Sequence, residues 1–158
     1  MFRKVRKKIN EISEEEARKL LTTERRGIIA INGDNGYPYA VPINYLYSED
    51  ENKIYFHGSR IGYKSELIQK DEKICFTLYG NETVKKEEWA PFVRSTVVFG
   101  RCRIIEDREE TISVCRRFAS KYYPDSETVE EELKLSGRAV YMYEITIENI
   151  TGKEVQEK

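Results

Sequence analysis

Histidine occurs once in the 158 residues, cysteine three times and proline four times, and each scarcity removes a class of chemistry. A lone histidine, His57, gives no basis for a Ser-His-Asp or Cys-His arrangement. It cannot complete a structural zinc site with Cys75, Cys102 and Cys115, which are scattered along the chain. Those cysteines are odd in number and set among Ile74, Phe76, Ile104, Val114 and Phe118, the surroundings of reduced core thiols. No metal is expected. No apolar run approaches the roughly 20 residues of a membrane span, and the first residues lack the apolar core of a secretion signal; a cytoplasmic protein with no membrane partner is expected. Charge of one sign is also missing: the formal net charge is −1, without the basic footprint of a nucleic-acid binder. The cluster Arg3, Lys4, Arg6, Lys7, Lys8 reads as a solvated basic arm over residues 1–12. At this length one domain, residues 1–158, is sufficient.

What is present is strand-rich punctuation. Ser13-Glu14-Glu15-Glu16 is a capping box and predicts a helix over about 13–23. Gly27 to Ile31 is a β-branched apolar run, and Gly33-Asp34-Asn35-Gly36 supplies residues that tolerate positive φ in a hairpin turn. A long strand follows from about Tyr37 to Tyr47, bulky at odd positions and small at even ones. Strands are also predicted at 53–57, 73–79, 93–105 and 138–147, with a short edge strand at 150–155. Helical spacing appears at 61–70, at 108–122 and, glutamate-rich, at 126–135. Helices inserted among turn-connected strands imply a mainly β protein with inserted helices, an antiparallel barrel of about six strands.

Two stretches carry chemistry. In His57-Gly58-Ser59-Arg60-Ile61-Gly62-Tyr63-Lys64 a strand passes through glycines into a helix. Open amides at the helix start, the Ser59 hydroxyl and the charges of Arg60 and Lys64 would suit a phosphate. The pattern is neither a dinucleotide fingerprint nor a P-loop, and a plain strand-to-helix loop with surface cations reads equally well. In Val41-Pro42-Ile43-Asn44, proline cannot donate to a ladder and marks an edge, a bulge or an interruption. Backbone groups freed there could meet the edge of an aromatic ring system; an ordinary edge strand is the alternative. Paired carboxylates such as Glu87-Glu88 read as solvated faces, so these side chains suit holding a cofactor better than acid–base work.

Taken in order, Gly27-Ile28-Ile29-Ala30, Gly36-Tyr37-Pro38-Tyr39-Ala40-Val41-Pro42-Ile43-Asn44-Tyr45, Ile54-Tyr55-Phe56-His57-Gly58-Ser59, Gly62-Tyr63-Lys64 and Ser95-Thr96-Val97-Val98-Phe99-Gly100-Arg101 resemble the pyridoxamine 5'-phosphate oxidase-like split-barrel flavoproteins. The nitroimidazole-resistance-type branch is the most similar. The resemblance covers about residues 10–147. It implies a six-stranded antiparallel split β-barrel of the FMN-binding type, with Val41, Pro42, Ile43 and Asn44 along the isoalloxazine ring. It also implies that His57, Gly58 and Ser59 reach the ribityl-phosphate tail and that Lys64 meets the phosphate. A homodimer with flavin at the interface is implied, with Trp89, Arg94 or Ser95 supplied by the second subunit. The implied activity is an FMN-dependent oxidoreductase passing electrons or hydride from reduced flavin to a small aromatic or nitroaromatic acceptor. No catalytic residue is assigned, and His57 is the best polar candidate. A flavin-storage protein without turnover and a haem-handling relative with His57 as axial ligand are the alternatives. Two departures stand out: Gly62-Tyr63-Lys64 replaces the branch's frequent Gly-His-Lys, and the Arg-Leu-x-Pro ending of true pyridoxamine phosphate oxidases is missing.

Overall fold

The capping box forms as the sequence predicts: Ser13 Oγ accepts from the Glu16 amide and Glu16 accepts from the Ser13 amide, starting α1 (Glu14–Thr23). The computed structural model describes residues 1–80 and 82–158. Around α1 the described residues build eight strands: β1 (Glu11–Ile12), β2 (Arg26–Asn32), β3 (Pro38–Asn44), β4 (Leu46–Ser48), β5 (Lys53–Gly58), β6 (Lys73–Tyr79), β7 (Phe92–Ile104) and β8 (Tyr141–Gln156). The other helices are α2 (Tyr63–Lys70), α3 (Arg108–Tyr122) and α4 (Ser126–Ser136). All pairings are antiparallel, in the order β3-β2-β6-β7-β8-β5-β4, with β1 added beside β8.

The two ends of that order are consecutive pieces of one extended run, since only Tyr45 separates β3 from β4. The sheet therefore curls round on itself, and with β3 and β4 counted together and the two-residue β1 set aside, the wall is the expected six-stranded barrel. It is split because β3 is laddered to β2 alone; its other edge faces β5 without pairing. Pro42, opposite Ile28, sits in this edge strand, where its missing N–H does least harm. The predicted alternation holds: Ile43 and Tyr45 are buried while Ala40 and Pro42 are exposed.

Leaving one ladder for another strands the peptide groups of Tyr45, and α3 satisfies them. Tyr45 N–H donates to the Tyr122 hydroxyl at 2.9 Å, and the same hydroxyl lies 2.6 Å from the carbonyls of Arg25 and Tyr45. Lys121 Nζ donates to the carbonyls of Glu24 and Tyr45 and stands 4.0 Å from the Tyr45 ring centre. A buried backbone group without a partner costs about 1–3 kcal/mol. Tyr122→Phe is accordingly expected to lower unfolding free energy by about that amount in urea titration, with the barrel retained; an unchanged midpoint would mean that water serves Tyr45 equally well.

β8 is one strand of 16 residues, where the sequence suggests a strand at 138–147 and a separate edge strand at 150–155. The pairing of Phe99 with Asn149 and of Gly100 with Ile147 leaves Glu148 as an extra residue. This bulge bends β8 so that its first half lies between β7 and β5. Gly100 is required beside it, because a Cβ would come within 2.3 Å of the Thr146 carbonyl. The barrel interior is filled by one cluster including Leu21, Ile29, Phe56, Phe76 and Ile145; Tyr55, Val114, Phe118 and Met142 form a smaller one under α3.

Glu144 is 1% exposed, with Lys53 Nζ at 2.7 Å and Arg103 Nε at 2.5 Å. Burial alone would raise its pKa, but hydrogen bonds from the two cations hold it below the ordinary value. A depressed folded pKa gives stability that is complete above the unfolded carboxylate range, near about 4.3, and is lost as pH falls through the folded value. Glu144→Gln is expected to flatten the acid limb of the stability–pH profile; a profile parallel to that of the parent protein would exclude this pair as a contributor.

Candidate functional site

The split between β3 and β5 is where the chemistry-bearing stretches meet. β5 ends in His57-Gly58, and the loop from Ser59 to Gly62 is fixed internally. Tyr143 donates to the Ser59 carbonyl at 2.7 Å, the Ile61 amide to Ser59 Oγ at 3.0 Å, and Ser65 Oγ to the Arg60 carbonyl at 2.8 Å. Gly62, at φ 122°, turns the chain into α2 in a conformation that favours glycine. No side chain caps this helix, so its first-turn amides keep their capacity to donate. The non-helical backbone of Gly62 also sets the start of the helix at Tyr63 and not at Ile61, as its apolar spacing suggests. Gly58 lets β5 lie close to Tyr143 and to Lys64, since a Cβ there would sit 3.1 Å from the tyrosine ring and 3.6 Å from Lys64 Nζ.

A cleft of about 410 Å³ is lined by Arg26, Pro42, Ile43, Asn44, His57 and Lys64. The edge of β3, the end of β5 and the first turn of α2 supply all of these but Arg26, which begins β2 and pairs with Asn44. Among the described residues no carboxylate lines it. Lys64 is half-buried over the Phe56 ring, 5.0 Å from its centre, and desolvation lowers its pKa against a smaller opposing effect of the Cys102 thiol. His57 is lowered as well, by desolvation first and then by the Lys64 charge, so near neutral pH its imidazole is uncharged and able to accept or donate a proton. A half-buried lysine beside an exposed imidazole, in a lining that offers no counter-charge, suits an anion. A second cleft of about 660 Å³ adjoins it, sharing Arg26 and Pro42 and running past Gly27, Ile28 and Tyr79. Both volumes lie in the range of small-molecule sites.

The structure thus brings Pro42, Ile43, Asn44, His57 and Lys64 into one lining. Val41 pairs with Ile29 and turns toward the core, while Gly58 and Ser59 lie beside the cleft in the loop just described. Trp89, Arg94 and Ser95 are elsewhere on this chain. Trp89 is exposed, Arg94 is bound to Glu16 and Glu154, and Ser95 lies within β7 between Tyr79 and Lys153. Arg60 is diverted to Glu106 at 3.0 Å and is not a cation of the cleft. Tyr63 accepts from the Asp34 amide at 3.1 Å and packs edge-on against Tyr39, tying α2 to the hairpin. Arg26 is the residue that sequence reasoning missed: in Glu24-Arg25-Arg26 it reads as surface charge, and only the β2–β3 pairing carries it to Asn44.

Residues 13–154 match the pyridoxamine 5'-phosphate oxidase family. No curated protein matches the sequence. Among solved structures, a candidate 5-nitroimidazole antibiotic resistance protein from Bacteroides thetaiotaomicron superposes with a TM-score of 0.77 at 21% identity, over 92% of this chain and 87% of the other. An FAD-binding protein from Mesorhizobium loti gives 0.65 at 23% identity, over 92% and 96%. An FAD- and haem-binding protein from Mycobacterium smegmatis gives 0.71 at 20% identity, over 92% and 72%. At these identities the structures speak for the shared barrel, and the family match spans nearly all of it. Split barrel, edge proline and ordered motifs agree with that match: the chain belongs to the pyridoxamine 5'-phosphate oxidase family.

Proposed function

We propose that this protein binds FMN in the cleft at the barrel split and acts as an oxidoreductase toward a small aromatic or nitroaromatic acceptor. The observation that carries the reading is the convergence of Lys64, His57 and Arg26 on the open edge of β3, in a lining without a carboxylate. Bound flavin supplies the electron or hydride transfer. Lys64 and Arg26 neutralise the phosphate, and the uncapped first turn of α2 adds amides that favour an anion. The free edge of β3 at Pro42–Asn44 offers backbone groups to the ring edge. His57, uncharged near neutral pH, holds a hydrogen bond to cofactor or substrate at the mouth of the split.

A homodimer belongs to the same proposal. Ile28, Tyr79 and Phe99 are exposed on the outer face of β2, β6 and β7, and the 660 Å³ cleft opens beside Ile28 and Tyr79. A second copy over this face would cover apolar surface that isolated domains rarely leave open. It would also bring Trp89, Arg94 or Ser95 of the other copy toward the cleft.

The test is the visible spectrum of the purified protein, with chromatographic identification of the chromophore released by heat. FMN is the expected result; FAD would correct the cofactor, a haem spectrum without flavin would move His57 to an axial role, and failure of the colourless protein to take up added FMN would overturn the reading. Steady-state reduction of nitroaromatic and quinone acceptors then separates an enzyme from a flavin store, for which no acceptor would turn over.

A further inference from the structure

On the other side of His57 lies a second space that the flavin reading does not use. It has a volume of about 270 Å³ and is a pocket, open to solvent on one side, between α3, α4 and the end of β5. Phe118, Ala119 and Val129 are its buried walls, with Leu133 and Val140 closing the sides. An apolar cavity of about 150 Å³ is enough to hold benzene, so this one accommodates a single six-membered ring with a substituent. The aromatic element of the wall is ordered, as His57 meets Phe118 edge-on with centroids 5.2 Å apart.

The polar groups fix the character of a ligand. Val129, Glu132, Leu133 and Ser136 recur at the helical spacing that places them on one face of α4, and all of them line the cavity. Glu132 is its sole carboxylate, and neither lysine nor arginine is in the lining. The cleft at the barrel split has the opposite composition, with Arg26 and Lys64 and no carboxylate. His57 is the one side chain common to both linings. The two spaces therefore select opposite charges across a shared imidazole: anions on the β3 side, neutral or cationic groups on the α4 side.

We propose that the space between α3, α4 and His57 is a binding site for a single-ring aromatic molecule bearing an amine or hydroxyl substituent, with the ring against Phe118 and Val129 and the donor group on Glu132. The site goes beyond FMN binding and does not depend on it. A ligand seated there contacts the face of His57 turned away from the anion cleft, which makes His57 the positioning residue between the two.

The experiment titrates the full-length protein with benzylamine, benzyl alcohol and benzoate, following the Val and Leu methyl signals, the His57 imidazole and the Arg26 and Lys64 side-chain signals by NMR. Benzylamine is expected to bind most tightly and benzoate most weakly, with shifts at Val129, Leu133 and His57. Glu132→Gln, a change at an exposed position, should weaken benzylamine about fivefold and leave benzyl alcohol almost unaltered. Leu133→Trp should fill the space and abolish all three titrations; should that variant unfold, Val140→Phe supplies the same measurement. The proposal is overturned if none of the probes shifts these signals at about 10 mM, if shifts fall on Arg26 and Lys64 instead, or if a folded cavity-filling variant binds as before. FMN uptake, measured on the same samples, is read separately, so its failure would remove the cleft assignment and leave the probe result standing.

Discussion

Replacing Lys64 by glutamate is expected to weaken FMN binding a hundredfold or more, on the order of 3 kcal/mol, with little change in thermal stability. A charge-assisted hydrogen bond to an ionised group contributes about 1.5–3 kcal/mol, and reversal of the charge adds repulsion to the loss. The surroundings enlarge the effect: Lys64 is half-buried over Phe56, and the lining offers no carboxylate that a replacement could relieve. Lys64→Gln separates the contributions by deleting the charge without inverting it, and a loss of about tenfold is expected. Quenching of FMN fluorescence on titration measures both variants. Affinity for Lys64→Glu within threefold of the parent protein would show that the phosphate lies elsewhere, whatever the cofactor proves to be.

The largest loss of stability is expected from Phe76→Ala, about 3–5 kcal/mol out of the 5–15 kcal/mol typical of a domain. Phe76 is fully buried in β6 and meets the Tyr45 ring edge-on at 5.0 Å. It also occupies the space beside Gly27, where a Cβ would fall 2.2 Å from its ring. Glycine on β2 and phenylalanine on β6 are thus a matched pair, and the match makes a sharper test than the single substitution. Gly27→Ala alone should destabilise by forcing the ring aside, yet in the Phe76→Ala background the added methyl enters the vacated space. The double-mutant cycle should therefore show favourable coupling of about 1 kcal/mol or more. Additive effects would mean that the cavity collapses without reference to Gly27. The consequence for function is indirect: Gly27 adjoins Arg26, so slack in this packing would loosen the strand that carries a cation to the cleft.

Local chemistry made several elements legible before any coordinates. Ser13 and Glu16 cap one another within a single turn, and Asn35 and Gly36 take positive φ in the hairpin, because both features need only neighbouring residues. Asp107 and Asp125 start α3 and α4 in the same local way, by accepting from nearby amides, although it is apolar spacing and glutamate content that place these helices in the sequence, with no cap identified there. The strand of 16 residues was hidden for the opposite reason: Ile147 and Ile150 read as two apolar segments unless the bulge at Glu148 and its partner strand β7 are known. Lys64 could be singled out through the glycines before it, whereas the diversion of Arg60 to Glu106 and of Tyr63 to Asp34 depends on residues distant in sequence.

Taken alone, then, the sequence determined the class of the fold, most helix and strand positions and the family, since periodicity, turn chemistry and motif order are local or sequential properties; it confined Pro42 to an irregular or edge position, and the pairing of β3 with β2 alone made it an edge. Tertiary structure alone decided which cations share a space. Closing the sheet through Tyr45 sets β3 against β5, pairing Arg26 with Asn44 carries a third basic residue to His57 and Lys64, and packing α4 on α3 opens the oppositely charged space behind the same imidazole. The absence of a counter-charge, which makes one side an anion site, belongs to the whole lining and cannot be read from any segment of the chain.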